Sequence, residues 1–178
     1  MSNNAAQWQP RAMLVVTLIA LAALSRLLPH PPNFTPVEAM GLFAGSYLAD
    51  RRLAFLVPLA AMALADLFLG LHGGMPVIYA LIAFNVWLGM RVGPAPSAGR
   101  VAGYGLLAAT VFFVVSNFAV WAMGAGHYYS QDFAGLVLCY TLALPFFGYT
   151  LAGMAVYSLA LYGGMALLTR ARGGLATA

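Results

Sequence analysis

Long apolar stretches divide this chain, and the charged residues between them alternate in kind. Arg11 precedes the first stretch, Arg51 and Arg52 follow the second, and Arg91 and Arg100 flank the fourth connection. Arg170 and Arg172 follow the last stretch, whereas His30, His72 and His127 occupy the first, third and fifth connections. About 20 apolar residues cross the ~30 Å hydrocarbon layer as a helix, and short loops rich in arginine stay on the cytoplasmic side. The pattern predicts an all-α integral membrane protein with both termini cytoplasmic and every histidine at or near the outer face. Only Arg26 falls outside the alternation.

Composition agrees with lipid as the solvent. The 178 residues are 63% hydrophobic and 7% charged, more apolar than a soluble domain of this size can bury. The net charge of +4 comes from arginine alone and is spread over the connections, so it reads as a topology signal and excludes a nucleic-acid surface, which needs charge clustered on one face. Cys139 is the only cysteine, which excludes an internal disulfide and a CxxC metal site. Arg11, the run after it and Ala20-Leu21-Ala22 have the outline of a secretory signal. The run continues to Leu28 and later stretches also span, so a retained first helix is expected.

The expected architecture is a single transmembrane domain over 1–178, a compact bundle of six spans at about 11–28, 37–49, 53–71, 76–90, 101–123 and 145–168. The second span is short and is expected either to sit between neighbours or to be extended by the loop before it. Pro58 should kink the third helix or be tolerated near its start, and Pro76 suits the first position of the fourth. Apolar sequence from Phe133 to Thr169 is too long for one helix, and Pro145, with Gly148 beyond it, is expected to divide it. That gives a short extra helix, outer or re-entrant, over 133–144 before the last span. A seventh span would place Arg170 and Arg172 outside, so six fit the arginine pattern. The chain has no P-loop, and energy from ATP would have to come from another polypeptide.

The residues that could carry chemistry collect in the histidine-bearing connections. Leu28 to Pro36 holds four prolines after Leu28, which stiffen the backbone around His30 and Asn33. It reads either as a binding loop or as a rigid connector. Asp66 lies in an apolar helix shortly before His72; a carboxylate at membrane depth faces a cavity or a partner, and Arg26 is the available partner. Tyr79 starts the next helix on the same side. The fifth connection offers His127 and Tyr128, and Asn117 and Trp121 upstream share one helix face. Three histidines invite a metal reading, but no HxxxH or HExxH pair presets coordination. One histidine acting as axial ligand to a metal already held by a macrocycle is chemically easier.

The six-span layout, the Pro-x-x-Pro-Asn loop after the first helix and the following Ala39-Met-Gly-Leu-Phe-Ala-Gly45 resemble the substrate-binding S components of energy-coupling-factor vitamin transporters. The likeness is nearest to small solitary bacterial members such as cobalamin-type ones. It implies a vitamin bound near the outer face, under the loops after helices one, three and five, in the bacterial inner membrane. It also implies a coupling-subunit and ATPase module as a partner. The Ala-x-x-x-Ala docking motif of such components is missing from helix one, and Ala61-x-x-x-Ala65 lies in helix three instead, which fits a chain that acts alone. Cobalamin-type members use a cysteine near the outer pocket as a cobalt ligand; Cys139 falls in another segment, so His30 is the expected axial ligand, with His72 second.

The resulting expectation is a membrane uptake protein for a vitamin-like molecule, cobalamin favoured as bound substrate, with no intrinsic cofactor. The expected site comprises His30, Asn33, Asp66, His72, Tyr79, Asn117, Trp121, His127 and Tyr128. Two other functions fit the same residues less well: a transition-metal permease, and a membrane enzyme acting on lipid or isoprenoid substrates. The four carboxylates are scattered, which argues against acid–base catalysis.

Overall fold

The computed structural model describes residues 4–124 and 126–175, with side chains over 12–124 and 126–170; the side chains of Arg11 and Arg172 lie outside that range. Every element is helical: α1 (Asn4–Ser25), α2 (Val37–Tyr47), α3 (Arg51–Leu69), α4 (Met75–Val92), α5 (Ala98–Met123), α6 (Phe133–Ser158), a π-helical turn (Leu159–Gly163) and α7 (Gly164–Leu175). Four segments are long and apolar enough to cross a membrane: Arg51–Leu69, Met75–Val92, Ala98–Met123 and Phe133–Arg170. The chain is therefore a multi-pass membrane protein.

The starts of the helices follow from local chemistry. Asp50 accepts hydrogen bonds from the backbone amides of Arg52 and Leu53 at the start of α3, Ser97 from Arg100 at α5, and Asp132 from Gly135 at α6. Pro76 occupies the first turn of α4, where its missing N–H costs nothing, and Gly93 ends that helix at φ 79°. Pro58 is buried inside α3, which continues through it.

α2 is the hub. Ten of its eleven residues are buried, so this short helix is shielded by protein on almost every side, as its length had suggested. Phe43, Met40 and Leu42 form one core with Val15 and Ile19 of α1, Val86 of α4, and Leu161 and Met165 beyond α6. Its closest neighbour is α4. A Cβ added to Gly45 would lie 2.0 Å from the Val86 carbonyl oxygen, and one added to Gly89 2.1 Å from that of Leu42. Small residues thus let two backbones approach as they do in membrane helix pairs. Gly41 meets Ile82 and Asn85, and Gly45 meets Val86 and Gly89, so α2 and α4 run parallel.

The last helix departs from expectation. α6 runs unbroken through Pro145, so there is no separate short helix over 133–144 and no span that begins at Pro145. Pro145 lies on an exposed face and removes one amide from the ladder. Breaking the helix within hydrocarbon would leave several backbone groups unmet, which costs more than the one. The irregularity comes later, at Leu159–Gly163, where the π turn buries Leu161 and Tyr162. The Tyr162 hydroxyl and Ser46 share a hydrogen bond of 2.8 Å, and the ring stands edge-on to Phe43 at 5.2 Å.

Candidate functional site

The end of the bundle that carries the histidines contains a buried ionic cluster. Arg26, just beyond α1, donates from Nη1 to Asp66 Oδ1 at 3.0 Å and also contacts Met62 Sδ at 2.7 Å. Asp66 is 2% exposed, and its second oxygen accepts from the Tyr79 hydroxyl at 3.0 Å. Three elements therefore meet on one carboxylate. Glu38, in the first turn of α2, is also buried close by. Arg26 Nε and Glu38 Oε2 are buried without a hydrogen-bond partner among the described residues.

The depth of this cluster follows from helix length. Tyr79 is twelve residues from Arg91 and Asp66 fourteen from Arg52, so the cluster sits ~18–21 Å from the arginine-bearing end, short of a ~30 Å hydrocarbon layer. Trp87 holds Arg91 at that end, with the guanidinium carbon 4.4 Å from the ring centroid. The connection after α1 lies equally deep. Thr35 and Phe34 pack on Gly153, twenty residues into α6, and Phe34 meets Tyr157 with ring centroids 5.9 Å apart. Ser25 Oγ and the Tyr157 hydroxyl, 2.8 Å apart, tie α1 to the same level.

The α5–α6 hairpin reaches further out. α5 is 26 residues long, about 39 Å, against about 27 Å for α4 and about 16 Å for α2. Its upper half packs on α6 through Tyr140, which donates to the Val114 carbonyl at 2.6 Å, and through Phe113 and Phe147 at 4.7 Å. Val115, Phe118, Val120, Met123, Val137 and Leu142 stay exposed along it. The loop at its tip is held to α5 by Trp121 Nε1, which donates to the Ser130 carbonyl, and by Gln131, which donates to the Trp121 carbonyl. Asp132, at the tip, has its carboxyl held below the usual carboxylate range by the Gly135 amide first and the Ser130 hydroxyl second.

These levels sort the expected site residues into groups. Asp66 and Tyr79 come together, joined by Arg26. His30 and Asn33 lie exposed in the loop at cluster level, and Asn33 takes the left-handed conformation at φ 63° that suits asparagine. His30 Nδ1 is 2.7 Å from the Leu28 carbonyl, which can only accept, so Nδ1 is the donor of that bond. His72 is exposed in the α3–α4 connection. His127 and Tyr128 sit at the hairpin tip, separated from the contact of Phe34 with Tyr157 by about 36 Å of α6. The structure does not bring the three histidines to one level. Asn117 donates to the Phe113 carbonyl within its own helix, and its carbonyl lies 3.5 Å from Cys139 Sγ, so it belongs to the hairpin seam with Trp121. Among the described residues no three His, Cys, Asp or Glu side chains converge as a metal site.

A feature the sequence reading did not anticipate lies at the other end. A cavity of about 650 Å³ opens between the start of α5 and the α6–π–α7 rod, lined by Tyr47, Val101, Gly105, Met154, Ser158 and Tyr162 among others. Its walls are almost wholly apolar. Small residues on α5 and the backbone offset of the π turn create it. No periodicity in sequence announces such a turn.

Comparison with known proteins places the whole chain at once, since a family profile matches residues 6–175. The chain belongs to DUF6580, a family of unknown function. No curated protein and no solved structure matches it. Within this DUF6580 member, then, the site rests on the chain's own chemistry: an ionic cluster at membrane depth, a stiff loop at the same level and the exposed His30 within that loop.

Proposed function

We propose that this protein is a membrane uptake protein that binds a vitamin-like small molecule at its outer face and passes it inward. The intramembrane cluster of Arg26, Asp66 and Tyr79 is the observation that carries this reading. Ionisable side chains at that depth serve substrate or ion pathways by default. Here they lie level with a loop whose prolines fix His30 and Asn33 in place. In this reading the chain sits in a bacterial cytoplasmic membrane as six spans, with both termini cytoplasmic and the histidine-bearing end outside. The α6–π–α7 rod supplies the sixth span, and α1 and α2 complete the bundle.

A corrinoid is the favoured ligand because of His30. Its Nδ1 donates to the Leu28 carbonyl, which leaves Nε2 as the nitrogen for an axial bond to cobalt. The transition-metal permease is less well supported, because the described residues assemble no ligand set. The lipid or isoprenoid reading has one observation in its favour, the apolar cavity at the arginine end. Its lining offers hydroxyls but no carboxylate, so it suits holding a chain better than transforming one. Coupling to a separate ATPase subunit remains compatible with the resemblance, and no part of the chain itself binds nucleotide through a P-loop.

An absorption spectrum of the detergent-purified protein, titrated with cobalamin, tests the proposal. A stoichiometric corrinoid band that shifts on binding, and weakens at least tenfold in affinity in His30→Ala, is the expected result. A protein spectrum that takes up no cobalamin removes the corrinoid, and a thermal-shift screen of other vitamins then decides whether uptake of any such molecule stands.

A further inference from the structure

Glu38 and Asn85 are each 1% exposed. Glu38 Oε2, Asn85 Oδ1 and Asn85 Nδ2 have no hydrogen-bond partner among the described residues. Unmet polar atoms at this burial are rare in folded proteins, and they mark a place where something else completes the bonding. Two such side chains occur here on helices packed directly against each other.

Their placement brings them within a turn. Glu38, Gly41 and Gly45 recur at the i, i+3, i+7 spacing of one helix face, and the two glycines form the contact with α4. A Cβ on Gly41 would lie 2.8 Å from Asn85 Cβ, so Asn85 abuts the α2 face one turn below Glu38. Side chains lean toward the N-terminus of their own helix. Because α2 and α4 run parallel, the Glu38 carboxyl and the Asn85 amide lean the same way and stay about one turn apart, with no hydrogen bond between them.

Among the described residues around Glu38 one cation faces two carboxyls, Arg26, with its Nη1 on Asp66 and its Nε without a partner. α1 contributes Arg26, just past its end, already bonded to Asp66 of α3; α4 contributes Tyr79, which donates to the same Asp66. α6 carries no charged residue along its length, and the titratable group it brings to this level is Tyr157, paired with Ser25. α5 carries only Arg100, near its start. Arg26 and Asp66 cancel. An ionised Glu38 would therefore leave a net charge of one within the membrane, and a buried carboxyl in that position takes up a proton instead.

We propose that Glu38 and Asn85 form an internal proton-binding site, and that inward movement of substrate through this chain is coupled to its protonation. A side-chain shift that closes the turn between them lets protonated Glu38 donate from Oε2 to Asn85 Oδ1; when the proton, taken up from the histidine-bearing end, leaves to water at the arginine-bearing end, a turn of the carboxamide offers Nδ2 to the carboxylate. One O–H bond breaks and one water gains the proton, with no other change in bonding. The asparagine serves both states, which a residue with only donors or only acceptors cannot do. The coupling clause rests on the uptake reading, whereas the proton site does not.

Infrared spectroscopy of the purified full-length protein at neutral pH tests the site without any ligand. The carbonyl-stretch band of a protonated carboxylic acid is expected in wild type. It should be absent in Glu38→Gln, retained in Asp66→Asn and shifted in frequency in Asn85→Leu. Absence of the band in wild type, or its survival in Glu38→Gln, overturns the site. Because glutamine matches the neutral acid in shape, Glu38→Gln is expected to fold, and retention of the wild-type thermal midpoint confirms that. A midpoint raised by sodium but not by potassium chloride, in wild type and not in Glu38→Gln, would replace the proton by a metal cation and overturn the proposal. Accumulation of labelled cobalamin in proteoliposomes reads the coupling separately. An inward proton gradient should raise it at least tenfold in wild type and leave Glu38→Gln unchanged. Accumulation that ignores the gradient overturns the coupling; no accumulation under any condition, with the infrared band intact, overturns the uptake reading alone.

Discussion

At the scale of the residue, the pair Arg26–Asp66 decides most. Breaking a buried ion pair on one side leaves an uncompensated charge, worth about 3–5 kcal/mol. Asp66→Asn or Arg26→Leu should therefore lower the thermal midpoint in detergent sharply, while the double replacement Arg26→Leu with Asp66→Leu should recover most of the loss. A double change no better than either single would show that the pair does not act as a unit. Asp132 makes a different prediction. Its carboxyl is held below the usual carboxylate range, so its stabilising effect is complete above that range and is lost as pH falls through the lowered value. Amide exchange at the start of α6 should quicken only in strong acid in wild type, and at neutral pH already in Asp132→Ala. The pairing of Asp66 with Arg26 was legible in sequence, because an apolar chain with one misplaced arginine leaves that carboxylate little choice. The burial of Glu38 and Asn85 was not legible. Neither residue differs by type from an exposed polar group, and only the α2–α4 packing seals them.

At the scale of the element, α2 and α4 touch backbone to backbone through Gly45 and Gly89. A methyl group added at either has no space, since the obstructing atoms are carbonyl oxygens. Gly45→Ala and Gly89→Ala should each cost about 1–3 kcal/mol by overpacking, and more if the two helices must separate. Gly163→Ala should be nearly neutral, because nothing lies within 4 Å of its added Cβ. Equal thermal midpoints for Gly89→Ala and Gly163→Ala would contradict this account of the seam. The start of α4 was readable from Pro76, which acts locally on the backbone; Asp50, Gly93 and Ser97 act as locally but were not read as helix ends. Pro145 misled for a physical reason: its effect depends on what surrounds it, and lipid offers no alternative partners that would reward a break. The π turn carries no compositional mark.

At the scale of the molecule, the long α5–α6 hairpin and the short α2 leave the loop after α1 recessed below the hairpin tip. The alternation of arginine and histidine already separated the two ends, since charge decides loop placement independently of packing. It could not reveal that His30 and His127 lie at different depths, which follows from the length of α6 and its contact with Phe34. The orientation itself is testable. In a Cys139→Ala background, single cysteines at Ser97 and Ser130 should react with a membrane-impermeant reagent from the inside and the outside of intact cells respectively. The reverse pattern would invert the topology and remove the outer site. The central claim, that the histidine-bearing end receives a vitamin-like molecule, is tested most directly by accumulation of labelled cobalamin in proteoliposomes that hold only this protein. Wild type should accumulate it, with His30→Ala and Asp66→Asn each reducing the rate at least tenfold. Equal rates in wild type, both variants and empty liposomes would contradict the claim.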